Sequence, residues 1–193
     1  MVRISPSTAL ASVQTDDLGQ GDRINLGVAA ILGHRPEVAG ALGALKAALQ
    51  ASGTLPPRLV ELVRLRIAFH NKCRSCISVR YQSAIDDGLT EGLVCSLEQP
   101  AAADDLSPAE SVVCFADMFA TDHVSIDDTV YDDLRRHFTE HKLVELGVHC
   151  AYAVGMGRLA ATWNVTDDVP EAFRSMADSP LAPWISDGVV ASG

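Results

Sequence analysis

Two cysteines three positions apart, Cys73 and Cys76, are the residues whose types and spacing point most directly to chemistry. Positions i and i+3 of a helix share a face, so the two thiols can form a disulfide with each other and thereby store and release two electrons. If a helix begins near Cys73, its unpaired N–H groups favour the thiolate, which is the reactive form of cysteine. That argument favours Cys73 as the attacking thiol, and we predict a redox-active pair.

One acidic residue, Glu61, precedes the cysteines within the run ELVRLRIAF. We expect this helix to be apolar nearly all round, so that its carboxylate is desolvated and binds a proton more tightly. Such a group suits an acid–base role beside a thiol. The alternative is a structural salt bridge to Arg64, three residues on, or to Arg80, and the sequence leaves both interpretations open.

Two basic residues flank the cysteine pair, His70 and Arg80. In the helix predicted over 73–87, Arg80 follows Cys76 by four positions and shares its face. A guanidinium there can stabilise a thiolate or pair with Glu61, but it cannot shuttle protons because it stays protonated in proteins. His70 is the nearest residue that can carry a proton. Its alternative role is to interact with the last carbonyl groups of the preceding helix.

Other candidate chemistry in the sequence is weaker. His149 is a second substitute proton carrier, or else an i+4 partner of Glu145 in the core. A structural zinc site is not predicted, because one Cys-x-x-Cys stands without a second pair or a following histidine pair at finger spacing. The glycines Gly155 and Gly157 lack a preceding strand and indicate close helix packing rather than a dinucleotide-binding loop. We predict no cofactor.

Composition limits the compartment and the partners. Five cysteines, an odd number without even spacing, do not form a secreted disulfide framework, and Cys95, Cys114 and Cys150 are predicted to be small buried apolar residues. The net charge of −10 argues against binding to nucleic acid and to anionic membranes. No apolar run approaches roughly 20 residues, and the N-terminus lacks the apolar segment of a signal peptide. We expect a cytoplasmic protein.

Helical periodicity dominates the chain and strand signals are almost absent, which predicts an all-α fold. The predicted helices cover 25–33, 36–51, 57–70, 73–87, a short segment after Thr90, 107–120, 125–138 and 139–162. The helix over 57–70 should be central and buried. We expect residues 1–24 to form an N-terminal arm, 25–165 the helical domain and 166–193 a C-terminal tail.

A short pattern occurs twice in the sequence. RLVEL at 58–62 recurs as KLVEL at 142–146, and each copy opens one of the two most apolar helices. Such an echo is typical of two similar helical halves packed around a pseudo-symmetric core. We therefore predict two pseudo-repeated helical halves, of which only the first carries the cysteine pair.

The spacing from Glu61 to the Cys-x-x-Cys pair, preceded by TLPPRLV at 54–60, resembles the AhpD-like (alkylhydroperoxidase D) superfamily, which includes the carboxymuconolactone decarboxylase-like proteins. The similarity continues in the second half with KLVELGVHCAYAVGMGRLAATWNV, so that it covers 26–165. The resemblance implies an all-α fold and a homo-oligomer, often a trimer or a hexamer.

The resemblance also implies a function. In family members with peroxidase activity, the position of Cys76 holds the thiol that attacks a hydroperoxide, Cys73 is its resolving partner, and an external dithiol restores both. The position of Glu61 belongs to a proton relay. The family histidine four residues after the second cysteine is replaced here by Arg80. This departure predicts reduced or reassigned acid–base help, with His70 as the nearest substitute.

Two other functions remain open at this point. The thiols can form a redox-sensing or structural pair in a non-catalytic helical oligomer, which would explain the loss of the family histidine. The third possibility is the decarboxylation of a carboxylated lactone. We rank it last, because that branch of the family does not rely on a Cys-x-x-Cys pair and nothing in the sequence marks a lactone site.

Overall fold

The computed structural model describes residues 2–8, 16–174 and 189–193, which form a predominantly helical fold. The elements are α1 (Gln20–Leu32), α2 (Pro36–Ser52), α3 (Pro57–His70), α4 (Arg74–Ser78), β1 (Val79–Tyr81), α5 (Gln82–Asp86), α6 (Glu91–Ser96), α7 (Val113–Thr121), α8 (Asp128–Arg135), α9 (Glu140–Trp163), α10 (Glu171–Arg174) and β2 (Val190–Ser192). Short 3₁₀ turns occur at Pro100–Ala102, Glu110–Val112 and His123–Ser125. The prediction of a helical fold is confirmed.

The main hydrophobic core surrounds α3. Leu62, Leu65 and Ile67 of this helix have no exposed surface, and the helix packs against α7 and α9. Burial of each such side chain stabilises the fold by roughly 1.5–3 kcal/mol. The predicted bounds of α3 and its central, buried position are both correct. Because α3 ends three residues before Cys73, the best-packed helix of the fold sets the position of the cysteine segment.

The predicted helix over 73–87 is wrong, because it is interrupted by the strand β1. Helix α4 ends at Ser78, and the next three residues pair in parallel with β2, with Val79 opposite Val190 and Tyr81 opposite Ser192. The sequence VRY favours an extended backbone through its β-branched and aromatic side chains. The pairing itself depends on a segment more than a hundred positions later, so local periodicity could not reveal it.

A second, smaller core lies beside the cysteine segment. It is formed by buried residues of α1, α3, α4, β1 and the chain after α9: Ile24, Ala68, Ile77, Val79, Val169 and Phe173. The side chain of Cys76 packs against this cluster. Part of the predicted arm and part of the predicted tail therefore belong to the folded body, since α1 begins at Gln20 and Phe173 is completely buried. Residues 9–15 and 175–188 of those segments lie outside the described residues.

Other local signals produce the structure that they indicate. The amide of Ser107 donates to a carboxylate oxygen of Glu110 (2.9 Å) while the amide of Glu110 donates to the Ser107 hydroxyl (3.3 Å), which is a capping box. The helix α7 nevertheless begins later than predicted, after a 3₁₀ turn. A Cβ atom added to Gly157 would lie 2.5 Å from the Asn71 amide nitrogen, which confirms the packing role of this glycine; Gly155 faces open space.

No helix in the described ranges has both the length and the apolar character that crossing a membrane requires.

Candidate thiol site

The two sulfur atoms of the Cys-x-x-Cys pair lie within bonding distance. Cys73 and Cys76 form a disulfide of 2.03 Å, and their Cα atoms are 5.2 Å apart. Cys73 is the N-cap residue of α4 and is completely buried, whereas Cys76 lies within α4 and is partly exposed. The two sulfur atoms can therefore form and break a disulfide, and Cys76 is the member of the pair with exposed surface.

Hydrogen bonds hold the buried member of the pair. The amide of Cys76 donates to the Cys73 sulfur at 3.3 Å, and the Ser75 hydroxyl lies 3.4 Å from the same atom. The amide of Cys73 in turn donates to the carbonyl of Ala68 at 3.1 Å, which fixes the turn after α3. Donors directed at a sulfur atom stabilise its thiolate. The structure thus separates access, which favours Cys76, from stabilisation of the anion, which favours Cys73.

The carboxylate of Glu61 is buried and forms an ion pair. Its two oxygens accept from Nε (2.6 Å) and Nη2 (2.7 Å) of Arg64, and one of them also accepts from the amide of Tyr81 at 3.2 Å. This is the structural salt bridge that the sequence offered as the alternative role, with Arg64 rather than Arg80 as the partner. Through Arg64 and the Tyr81 amide, the carboxylate contacts the segment that follows the cysteines.

The guanidinium of Arg64 connects α3 to the end of the cysteine helix. Its Nη1 donates to the carbonyl of Cys76 at 2.8 Å and its Nη2 to the carbonyl of Val79 at 2.9 Å, while the group lies over the ring of Tyr81. Burial lowers the pKa of this guanidinium, but the Glu61 carboxylate and Tyr81 together raise it by more, so that the net shift is upward. The i+3 spacing in the sequence indicated the ion pair of Arg64 with Glu61. Nothing in the sequence indicated the bonds of Arg64 to the carbonyls of Cys76 and Val79.

Arg80 does not share a helix face with the thiols, contrary to the prediction, because it lies in β1. Its side chain is buried, with Nε and Nη2 donating to both carboxylate oxygens of Glu91 at 2.9 and 3.0 Å. Its Nη1 donates to the carbonyls of Ile77 (2.6 Å) and Val79 (3.1 Å). The last carbonyl groups of a helix lack partners within the helix. Arg80 satisfies these groups and joins the end of α4 to α6.

Two bidentate arginine–glutamate pairs therefore clamp the passage from α4 to β1. Arg64 and Arg80 bind the carbonyls of residues 76, 77 and 79 from two sides, and Glu61 and Glu91 compensate their charges. Charged groups that leave water are stable only when they are paired and hydrogen-bonded. The clamp gives the short helix that carries Cys76 a fixed position. The guanidinium of Arg80, which the sequence analysis expected beside the thiolate, is paired with Glu91 instead.

His70 is directed toward α7. Its Nε2 lies 2.6 Å from a carboxylate oxygen of Asp117, which also accepts from Arg66. Burial raises the pKa of Asp117, but the hydrogen bonds and the electrostatic attraction of His70 and Arg66 together lower it by more. The last residue of α3 thus bonds a side chain of a neighbouring helix rather than the final carbonyl groups of its own helix. Its proposed proton-carrying role stays a prediction.

His149 has the partner that the sequence indicated. Its Nε2 lies 3.9 Å from a carboxylate oxygen of Glu145, one turn earlier on α9. That carboxylate accepts hydrogen bonds from Thr54 and from the amide of Leu55, before the start of α3. Burial lowers the pKa of His149, and the neighbouring carboxylate offsets only part of that shift. The pair joins α9 to the residues that lead into α3.

The other three cysteines differ from one another. Cys150 is buried as predicted, and burial raises the pKa of its thiol to about 12. Cys114 is partly exposed, with a pKa raised by burial and by the negative charge of Asp117. Cys95 is exposed, so its predicted burial is wrong. Within the described ranges, no group of three or more histidine, cysteine or acidic side chains is arranged to hold a metal ion.

Comparison with known proteins gives one family and several similar folds. Residues 36–116 match the model of the carboxymuconolactone decarboxylase family. A protein of unknown function from Agrobacterium tumefaciens, proposed to be an antioxidant defence protein AhpD, is 22% identical and superimposes with a TM-score of 0.60 over 69% of this chain and 92% of its own. No curated protein matches the sequence.

Two structures of the debrominase Bmp8 are also similar. The apo form is 19% identical and superimposes with a TM-score of 0.60 over 94% of this chain and 96% of its own. A cysteine-to-alanine variant in complex with 2,3,4-tribromopyrrole is 19% identical, with a TM-score of 0.61 over 93% of this chain and 98% of its own. At these identities the likeness concerns the fold.

Proposed function

We propose that this chain belongs to the AhpD-like and carboxymuconolactone decarboxylase superfamily and is a thiol-dependent hydroperoxide reductase. The observation that carries the proposal is the asymmetry of the cysteine pair, in which a partly exposed Cys76 lies at disulfide distance from a completely buried Cys73. A two-thiol peroxidase requires one sulfur that the oxidant can reach and a second close enough to form a disulfide with it after the first has reacted.

The proposed cycle uses both thiols and an external dithiol. The thiolate of Cys76 attacks the terminal oxygen of a hydroperoxide, an S–O bond forms, the O–O bond breaks, and the alkoxide takes a proton to leave as an alcohol. Cys73 then attacks the resulting sulfenic acid, which releases water and leaves the disulfide. A dithiol reductant supplies two electrons and two protons to restore both thiols and becomes a disulfide itself.

Glu61 and Arg80 act in this proposal by holding the cysteine helix rather than by moving protons. Both oxygens of Glu61 accept from Arg64, and Arg80 is paired with Glu91. The carboxylate of Glu61 orients Arg64 toward the carbonyl of Cys76. The proton that the alkoxide needs comes from solvent on the exposed side of the cysteine pair. This assignment replaces the relay that the family resemblance implies.

The surroundings of Cys76 favour an organic hydroperoxide as substrate. Cys76 is one of several partly exposed apolar side chains at the margin of the second core, together with Phe69, Val189 and Val190. Apolar surfaces of this kind bind the hydrocarbon part of a substrate through burial of apolar area. We therefore propose a substrate that joins a hydroperoxide group to an apolar body.

A second candidate reaction is thiol-dependent dehalogenation of a halogenated heteroaromatic ring. It is favoured by the superposition with the debrominase Bmp8, which covers 93% and 94% of this chain and so extends beyond residues 36–116. In such a reaction the carbon–halogen bond breaks, halide leaves, the carbon takes a proton, and the two thiols supply two electrons as they become a disulfide. The same cysteine pair therefore serves either substrate.

The test is substrate consumption with dihydrolipoamide as the reductant. Cumene hydroperoxide and 2,3,4-tribromopyrrole are offered in separate assays to the wild type and to Cys76→Ser. We expect the wild type to consume the hydroperoxide and the variant to lose all turnover above the uncatalysed reaction. The matched control is Cys95→Ser, which removes an exposed thiol outside the pair and should retain wild-type turnover.

The outcomes separate the candidate functions. Bromide release without hydroperoxide consumption would replace the peroxidase with the dehalogenase. If neither substrate is consumed while the disulfide still forms and is reduced, the pair is a redox sensor or a structural link. Equal turnover in Cys76→Ser and the wild type would remove every mechanism based on this sulfur.

We also propose a homo-oligomer, a trimer or a hexamer, with α2 at the subunit interface. The superfamily generally forms oligomers, and α2 is a helix of 17 residues with no buried residue. Its apolar side chains Val38, Leu42, Leu45 and Leu49 follow the i, i+4, i+7, i+11 spacing of one helix face. Leu49 also lines a shallow cleft with Val144 of α9, so the exposed apolar surface is continuous across two helices.

A cytoplasmic location completes the proposal. The cycle needs an external dithiol, and such reductants keep protein thiols reduced in the cytoplasm. The hydroperoxide and the dithiol reductant are the proposed small-molecule partners. Nucleic acid and anionic membranes are not proposed as partners, because the net charge of −10 disfavours both.

A further inference from the structure

The buried sulfur of Cys73 is contacted by a hydroxyl group from inside its own motif. Ser75 Oγ lies 3.4 Å from the Cys73 sulfur, and Ser75 is only 4% exposed. A disulfide sulfur carries no proton, so the hydroxyl is the donor in this contact. The amide of Cys76 donates to the same sulfur. Two donors therefore converge on an atom that has no exposed surface.

We propose that Ser75 is a catalytic residue of thiol–disulfide exchange, because its hydroxyl stabilises the thiolate of Cys73 when the disulfide is reduced. This inference rests on the proposed function only in so far as the pair is reduced by an external dithiol. The role of Ser75 itself concerns the equilibrium and the rate of that reduction, whichever oxidant forms the disulfide.

The direction of attack follows from exposure. A thiolate of the reductant reaches the partly exposed Cys76 sulfur and forms a mixed disulfide with it, while the bond between Cys76 and Cys73 breaks. The electron pair of that bond stays on the Cys73 sulfur as a thiolate. The second thiol of the reductant then attacks the mixed disulfide, which releases Cys76 and oxidises the reductant. A leaving thiolate that is better stabilised leaves faster.

The two arginines of the clamp are bound to other groups. Arg64 and Arg80 each bind a glutamate in bidentate fashion and also donate to backbone carbonyls. A thiolate in a buried position is unfavourable unless donors compensate for the lost water. The hydroxyl of Ser75 is therefore the side-chain group positioned to do so. The neighbouring Ser78 hydroxyl donates to the Ser75 carbonyl at 3.0 Å and has no contact with sulfur among its hydrogen bonds.

The experiment compares wild type with Ser75→Ala, Ser75→Thr and Ser78→Ala in defined mixtures of reduced and oxidised dithiothreitol. The dithiol and disulfide forms are trapped by alkylation and counted by mass spectrometry. A hydrogen bond to a charged group is worth about 1.5–3 kcal/mol, so we expect Ser75→Ala to shift the equilibrium toward the disulfide about tenfold, or about 30 mV for a two-electron couple. Reduction by dithiothreitol should slow by a similar factor.

The two other variants test the cause of the shift. Ser75→Thr retains the hydroxyl and should stay near the wild type. Ser78→Ala removes a buried hydroxyl of the same helix that does not contact sulfur, and it should also stay near the wild type. An unchanged equilibrium and rate in Ser75→Ala would overturn the proposal, as would an equal shift in Ser78→Ala.

The result does not depend on hydroperoxide turnover. If the wild type consumes no hydroperoxide but Ser75→Ala shifts the equilibrium while Ser78→Ala does not, the proposed function fails and the role of Ser75 stands. If the hydroperoxide is consumed but Ser75→Ala behaves like the wild type, the role of Ser75 fails alone. A wild-type disulfide that dithiothreitol cannot reduce would overturn both.

Discussion

At the scale of single residues, the charged side chains around the cysteine pair are bound to one another in ion pairs. Glu61 accepts two hydrogen bonds from Arg64 and one from the amide of Tyr81. The apolar run around Glu61 correctly indicated burial, and the i+3 spacing offered Arg64 as a partner. The sequence could not decide between a proton relay and an ion pair, because both require the same buried carboxylate beside the same thiols.

Glu61→Gln tests whether this carboxylate positions the helix or moves protons. Removing one partner of a buried ion pair leaves the other charge uncompensated, so we expect a loss of folding stability on the order of 3 kcal/mol. The rate at which Cys76 reacts with hydroperoxide should also fall. The ratio of the variant rate to the wild-type rate should not depend on pH. Urea unfolding and stopped-flow kinetics between pH 5 and pH 9 give the two quantities.

The control for this variant is Glu140→Gln, which removes an exposed carboxylate paired with Arg135. Water screens an exposed pair of this kind, so both quantities should stay near the wild type. If Glu61→Gln instead removed one limb of the pH–rate profile, the carboxylate would be a proton carrier and the clamp interpretation would be wrong.

At the scale of elements, α2 is the helix whose environment is least accounted for by the described chain. It has no buried residue, and Leu45 is 40% exposed on its apolar face. A charge at a buried apolar interface is strongly unfavourable unless it is paired. We therefore expect Leu45→Asp to convert the oligomer into monomers, as measured by size-exclusion chromatography with light scattering.

The matched control for α2 is Val124→Asp, at a position that is 82% exposed in a 3₁₀ turn. This variant should keep the wild-type mass. A wild type that is monomeric, or a Leu45→Asp variant with the wild-type mass, would contradict the interface on α2.

The same scale explains which parts of the fold were predictable. Helix α3 has the predicted bounds because Pro57 and an unbroken apolar periodicity are both local signals. The strand β1 was missed because its partner is residues 190–192, and a parallel pairing at that separation leaves no local pattern. Because the strand was missed, Arg80 was predicted on the helix face of the thiols, whereas it lies in β1 just after the end of α4. The two pseudo-repeated halves stay a prediction.

At the scale of the whole molecule, segments from both ends of the chain surround the cysteine helix. Ile24 of α1 and Phe173 of α10 meet in the core that Cys76 contacts, and β2 pairs with the strand that follows α4. These three elements lie outside residues 36–116, which match the family model. Segments of this chain outside residues 36–116 therefore help to set the access to Cys76.

The central claim is that Cys76 and Cys73 together reduce one hydroperoxide, and a single-turnover experiment tests it most directly. Fully reduced protein is mixed with one equivalent of cumene hydroperoxide, quenched at set times and mapped by mass spectrometry. We predict one Cys73–Cys76 disulfide for each alcohol formed, with Cys95, Cys114 and Cys150 still reduced. Oxidation that begins at Cys95, or disulfide formation no faster than the oxidation of free cysteine, would contradict the account.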